Sequence, residues 1–198
     1  MIKLISSKAA RYLCSNETDT DALELYEYAI YVVLSSIFHI ATIIALGVFF
    51  NMIIESVGFY FSFISIRKFA GGYHAKTPTR CYLFSIVSSI VSFYLIIFIE
   101  NIYGGVIIMI MIELFCIIFI FMISPLDSDN NPLNRNEKKV YRKKASIISI
   151  NVFLLSLFFA ILEYKKIGIA IGSGIFTATF VLIMRKIQMV YNDKIIGI

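Results

Sequence analysis

Six apolar stretches separated by short polar interruptions fill most of this chain, at about 28–50, 52–66, 81–99, 102–124, 146–162 and 167–184. A membrane-crossing helix needs about 20 mainly apolar residues, and roughly 17 suffice. The second stretch is short and contains Glu55; a tilted crossing and a partly re-entrant segment both remain open for it. Composition agrees with a membrane chain. Of the 198 residues 59% are hydrophobic and 16% charged, whereas soluble domains run near half apolar and about a quarter charged. No polar stretch is long enough to bury a core of its own. The expected fold is all-α: one polytopic membrane domain over 1–198, with about six transmembrane helices.

The charges settle the expected orientation. Sixteen of the eighteen Lys and Arg residues fall in the N-terminal segment, the interruption after the second stretch, the one after the fourth, and the C-terminal tail. Lys165 and Lys166 are left for the other side. The positive-inside rule then places both termini in the cytoplasm. It also explains the net charge of +5 without a nucleic-acid partner, because the basic residues lie in short loops between spans. Residues 2–13, IKLISSKAARYL, put Ile2, Ile5, Ala9, Tyr12 and Leu13 near helical spacing. This predicts an amphipathic helix on the inner leaflet, within a cytoplasmic or interfacial segment 1–27. That segment has no apolar core of the kind a cleavable signal needs. Asp or Thr ahead of Ala-Leu-Glu-Leu is a suitable N-cap for the first span.

Chemistry concentrates at 67–81, RKFAGGYHAKTPTRC. His74 and Cys81 are seven residues apart, about 10.5 Å of rise on a continuous helix. Proton transfer from thiol to imidazole needs about 3 Å, so the pair requires a break in the helix. Gly71 and Gly72 permit positive φ and a tight reversal. Pro78 excludes α conformation at Thr77 and suits the first position of a new helix, with Thr77 as its N-cap. Cys81 then sits in a helical first turn, where the dipole and adjacent Arg80 favour thiolate. Unpaired N–H groups of that turn are suited to an oxyanion. The structural alternative is a small cysteine and an ordinary loop histidine.

Three cysteines in dissimilar settings argue against a disulfide framework. Cys14 has no nearby His, and Cys116 lies in mid-span; both are expected to be inert. No CxxC or His-rich cluster suggests a metal, and no HExxH or paired aspartates suggest another intramembrane hydrolase. His39, Glu55 and Glu113 are intramembrane polar groups. They fit helix contacts, an interhelical partner for Glu113, or the polar path of a small peptide exporter. A non-catalytic scaffold is a further alternative, but it leaves the Gly-Gly, His and Thr-Pro…Cys arrangement unexplained. Gly168 and Gly172 form a GxxxG close-packing face, with Gly174 and Gly104-Gly105 as further small positions.

The 67–81 stretch resembles the signature of the accessory gene regulator B (AgrB) family, membrane cysteine endopeptidases that process quorum-sensing precursor peptides. The matching positions are Arg67, Gly71, Gly72, His74, Ala75 and Cys81. A second likeness is SPLDSDNNPL at 124–133, matching at Ser124-Pro125-Leu126-Asp127 and Asn131-Pro132. The resemblance implies Cys81 as nucleophile and His74 as acid and base, with no metal or organic cofactor. It implies an AgrD-like precursor peptide as substrate and a homodimer as an option. Arg67, Gly71, Gly72, Thr77 and Arg80 would then order the site or contact substrate. The basic loop 125–145 carries Arg135, Lys138, Lys139, Arg142, Lys143 and Lys144, candidate contacts for the precursor's acidic tail. Their alternative role is topology alone.

Overall fold

The computed structural model describes residues 2–13, 20–72, 78–126 and 133–196, and among these every regular element is a helix. They are α1 Ile2–Leu13, α2 Thr20–Phe49, α3 Ile53–Ala70, α4 Pro78–Glu100, α5 Gly105–Ile123, α6 Arg135–Ile161 and α7 Lys165–Ile196. The chain divides into two compact units, Met1–Ala45 and Leu46–Ile198. In the first, α1 is helical as the periodicity predicts, but its buried positions are Ser6 and Ala10, while Ile5 and Tyr12 are exposed.

The second unit is a bundle built around α7. In α7, 72% of the apolar stretch is buried, against a third or less in α4, α5 and α6. Small residues make this possible. A Cβ added at Gly168 would lie 2.9 Å from the Ser156 carbonyl oxygen on α6. At Gly172 it would run into Glu113 and Met109 of α5, and at Gly174 into Ser62 and Phe59 of α3. The GxxxG face is thus occupied inside the chain, where it brings three neighbours close, and is not left over for a second copy. Phe63, Ile66, Cys116, Ile120, Val152, Ile175 and Leu182 fill the space between these helices.

Lipid removes the hydrophobic drive between helices, so packing and buried hydrogen bonds hold them. The Ser92 and Thr177 hydroxyls bond at 2.8 Å between α4 and α7. Ser156 on α6 donates to Glu113 Oε1 at 2.8 Å and approaches the Gly168 carbonyl at 3.0 Å. Glu113 therefore has the interhelical partner its place in a span demands. At the bundle's rim Lys166 Nζ meets Glu100 Oε2 at 3.5 Å.

These contacts give the directions. Gly58 faces Ile171, Ser62 faces Gly174 and Gly72 faces Val181, so α3 runs parallel to α7, as does α5. Through Ser92–Thr177 and Glu100–Lys166 α4 runs antiparallel, and through Ser156–Gly168 so does α6. Among the described residues five helices, α2 and α4 to α7, are long and apolar enough to cross a membrane. The short second stretch is α3, 18 residues long because Arg67 and Lys68 extend it beyond the expected end at 66. Lying along α7 with Glu55 at one end and Arg67 and Lys68 at the other, it spans about 27 Å.

Two further boundaries differ from expectation. The basic residues 135–144 are not loop but the first turns of α6. A capping box starts them: Asn134 Oδ1 accepts from the N–H groups of Asn136 and Glu137, at 3.1 and 3.0 Å, and the Asn134 N–H donates to Glu137 Oε2 at 2.9 Å. Asn-x-x-Glu is a legible start signal, outweighed in the sequence by the density of like charge. At the other end α7 continues to Ile196, well past the apolar stretch.

Candidate active site

One end of the bundle gathers the chemistry. It holds the last turn of α3, the first turn of α4, the segment after α5, the start of α6 and the later turns of α7. Connections at the opposite end are tight, through Asn51 (φ 55°), Gly104 (φ 77°) and Glu163 (φ 67°). At the polar end they are long, at 71–77 and 124–134.

Gly71 ends α3 at φ 82°, ψ −166°, with its N–H donating to the Arg67 carbonyl. Only glycine occupies that region readily, which is the role the sequence assigns to it. The close approach it allows is new: a Cβ at Gly71 would run into the carbonyl oxygen of Leu126. The Leu126 N–H also donates to the Ala70 carbonyl at 3.1 Å. Next to this, Arg142 Nε donates to the Ser124 carbonyl at 2.8 Å. The stretches beginning at 67 and 124, more than fifty residues apart, are therefore hydrogen-bonded to each other, with Arg142 of α6 joined to the second.

Arg67 lies with its guanidinium carbon 5.6 Å from the centroid of the Phe63 ring, and its stem passes Gly72. Gly72 packs on Val181, where a Cβ would come within 2.9 Å of that side chain. The fourth helix begins at Pro78, as the proline predicts, so the Cys81 backbone occupies its first turn. His74, Thr77 and the Cys81 side chain lie outside the described residues, as does Cys14. Arg80 is exposed, as are Arg135, Lys138, Lys139, Arg142, Lys143 and Lys144. Of the last six, Arg135, Lys138, Lys139, Arg142 and Lys143 share one face of α6, brought beside the 124–126 segment through Arg142, while Lys144 stands at the Phe69 ring of α3.

Sequence reasoning missed Arg185, which it counts only as one of the tail's charges. It is 2% exposed and donates to Gln188 Oε1 at 3.0 Å. One turn beyond Val181, it is buried at the level where the chain leaves Gly72 for 73–77. Arginines after apolar runs usually extend to water, so nothing in the sequence separates this one from the ordinary case. Glu113, by contrast, is enclosed among Ser156, Gly172 and Met109. It lies eleven residues before Ser124, about 16 Å along the helix from the candidate site. Cys116 is buried in the same interior.

Among known proteins the chain is similar to an AgrB-like protein of Clostridium perfringens strain SM101, 28% identical over 170 residues, covering 84% of this chain and 78% of that one. A second, from strain 13 of the same species, is 29% identical over the same coverage. One from Listeria monocytogenes serotype 4a is 22% identical over 173 residues, 85% of this chain and 83% of the other. These relatives are described only as AgrB-like. No solved structure matches. The family model for Accessory gene regulator B matches residues 6–184. With nearly the whole chain matched, both motif stretches included, this protein belongs to the accessory gene regulator B family.

Proposed function

We propose that this protein is a membrane cysteine endopeptidase of a quorum-sensing system, acting on a short AgrD-like precursor at the cytoplasmic face. The Cys81 thiolate attacks a backbone carbonyl of the precursor, and helix-start N–H groups of α4 stabilise the oxyanion. His74 takes the thiol proton and returns it to the leaving amine as the C-terminal tail departs. The peptide is left as a thioester on Cys81. A cysteine thiol or serine hydroxyl within the peptide then attacks that thioester, freeing Cys81 and closing a thiolactone or lactone ring. A site at the membrane edge favours ring closure by keeping water scarce.

The observation that carries this reading is the hydrogen-bonded meeting of the 67–72 and 124–126 stretches, beside a helix whose first turn holds Cys81. Both are stretches in which the chain resembles its family, and Arg142 ties the basic face of α6 to them. That face is suited to hold an acidic tail, and Arg67, Gly71, Gly72, Thr77 and Arg80 to shape the site. Orientation follows from charge: Lys and Arg crowd the end bearing the candidate site, and the opposite rim has Glu55, Glu100 and Glu163 beside Lys165 and Lys166. In this reading both termini and the site face the cytoplasm, as the positive-inside rule favours. The exporter reading loses ground because Glu113 is packed into a closed interior.

The test is mass spectrometry of a candidate precursor co-expressed with the wild type, Cys81→Ala, His74→Ala, and the controls Cys14→Ala and Cys116→Ala. Loss of the tail in the wild type and both controls, and in neither site variant, is the expected result. A further loss of one water from the cleaved peptide reports the ring. Cleavage that survives Cys81→Ala would overturn the reading.

A further inference from the structure

Two open grooves of similar size run along the bundle. One, about 530 Å³, lies between α5 and α7, and its lining, which includes Met111, Phe115 and Phe180, carries no charge. The other, about 480 Å³, lies between α3 and α6, with Phe61, Phe69, Ile148 and Leu155 on its walls. It is more polar, with Ser65 and Asn151 in its lining, and it alone of the two carries a charge, Lys68. Lys68 Nζ stands 5.6 Å from the centroid of the Phe69 ring, and Lys144 Nζ 5.5 Å from the same centroid. Lys144 is one helical turn before Ile148, so it stands at the same polar end of the groove.

Two ammonium groups therefore gather around one aromatic ring. They can be no farther apart than the sum of those two distances. Among the described residues neither has a carboxylate partner. The ring's π face offsets part of their repulsion, and an anion between them would offset more. The slot below suits an alkyl chain. From Phe61 to Lys68 it runs about 10 Å along α3, and one leaflet's hydrocarbon is about 15 Å deep. We propose that the α3–α6 groove is a binding site for an anionic phospholipid, with one acyl chain along the apolar walls and the phosphate at Lys68 and Lys144. The charge-free α5–α7 groove takes lipid chains without regard to headgroup. This site does not depend on the proteolytic reading.

The experiment is a native mass spectrometry titration of the detergent-purified full-length protein with phosphatidylglycerol and with phosphatidylcholine. The variants are Lys68→Gln, Lys144→Gln and the pair, with Lys165→Gln as control. The wild type is expected to bind phosphatidylglycerol more tightly. Each groove variant should weaken that binding about fivefold, the order expected for one lysine at a charged interface. Phosphatidylcholine binding and the Lys165→Gln protein should be unchanged. Glycerophosphoglycerol, which has the headgroup and no chains, should not compete; equal competition would make this a bare anion site and overturn the proposal. Equal affinity for the two lipids, or phosphatidylglycerol binding indifferent to both lysines, overturns it too. So does an Asp- and Glu-rich peptide whose binding needs both lysines when that of phosphatidylglycerol does not.

Discussion

The approach of α3 to α7 at Gly174 sets a backbone carbonyl opposite the glycine, and its cost can be worked through. In Gly174→Ala the new methyl would lie 2.7 Å from the Phe59 carbonyl oxygen and 2.9 Å from Ser62 Cβ, besides meeting Ser62 Oγ. The hydroxyl can turn away; the carbonyl and the Cβ cannot. Restoring ordinary contact at about 3.4 Å requires α3 and α7 to part by about 0.5–0.7 Å, a gap that forfeits a quarter to a half of each dispersion contact. With roughly 30 atom pairs at about 0.1–0.2 kcal/mol each, the loss is about 0.8–3 kcal/mol, centred near about 2, within the usual cost of overpacking. Alanine's helix propensity returns about 0.8–1 kcal/mol, leaving a net destabilisation of about 1 kcal/mol. Gly58→Ala probes the same interface from the other side. Its methyl would meet only Ile171 Cγ1 at 3.2 Å, the movable part of a side chain, so propensity prevails and the variant gains up to about 1 kcal/mol. The two proteins should differ by about 2 kcal/mol, with opposite signs. Reversible unfolding in mixed micelles against rising dodecyl sulfate fraction, followed by circular dichroism, measures both. Equal shifts in one direction would refute the reasoning about backbone against side-chain contact.

Gly71→Ala combines a glycine-only conformation, worth about 1–3 kcal/mol of strain, with a collision at the Leu126 carbonyl. Tail cleavage should fall at least about tenfold (about 1.4 kcal/mol in the barrier) while helical content stays near wild type; unchanged cleavage would separate this turn from the site. Ser156→Ala takes from Glu113 Oε1 its donor and should destabilise by about 0.6–1.7 kcal/mol in the same micelle assay. Arg142→Lys keeps the charge but not the Nε–H bond to Ser124, so processing should drop several-fold, whereas Lys143→Arg should be silent. Neutralising Lys138, Lys139, Lys143 and Lys144 together should weaken processing most at low salt, where screening is least; unaltered turnover in a correctly inserted protein would reduce these charges to topology.

The number and order of the helices were legible because a bilayer demands long apolar runs, and each run reports its own span. The start of α4 at Pro78 and the turn at Gly71 were legible too, since both follow from backbone limits built into single residues, although α3 reaches that turn past the expected end at 66. The start of α6 was misplaced because six cations read as loop until the Asn134–Glu137 cap is weighed against them. What only the tertiary structure decided are the relations between distant residues. Gly172 and Gly174 look like any small pair, and only packing shows that one admits Glu113 and the other the backbone of α3. The hydrogen bond from Leu126 to Ala70 joins two stretches that each look like an isolated polar interruption. Arg185 reads as one more cation after an apolar run, and its burial depends on neighbours brought from elsewhere in the chain. Local sequence carries local backbone preference and the partition between water and lipid; which surfaces meet is a property of the packed bundle.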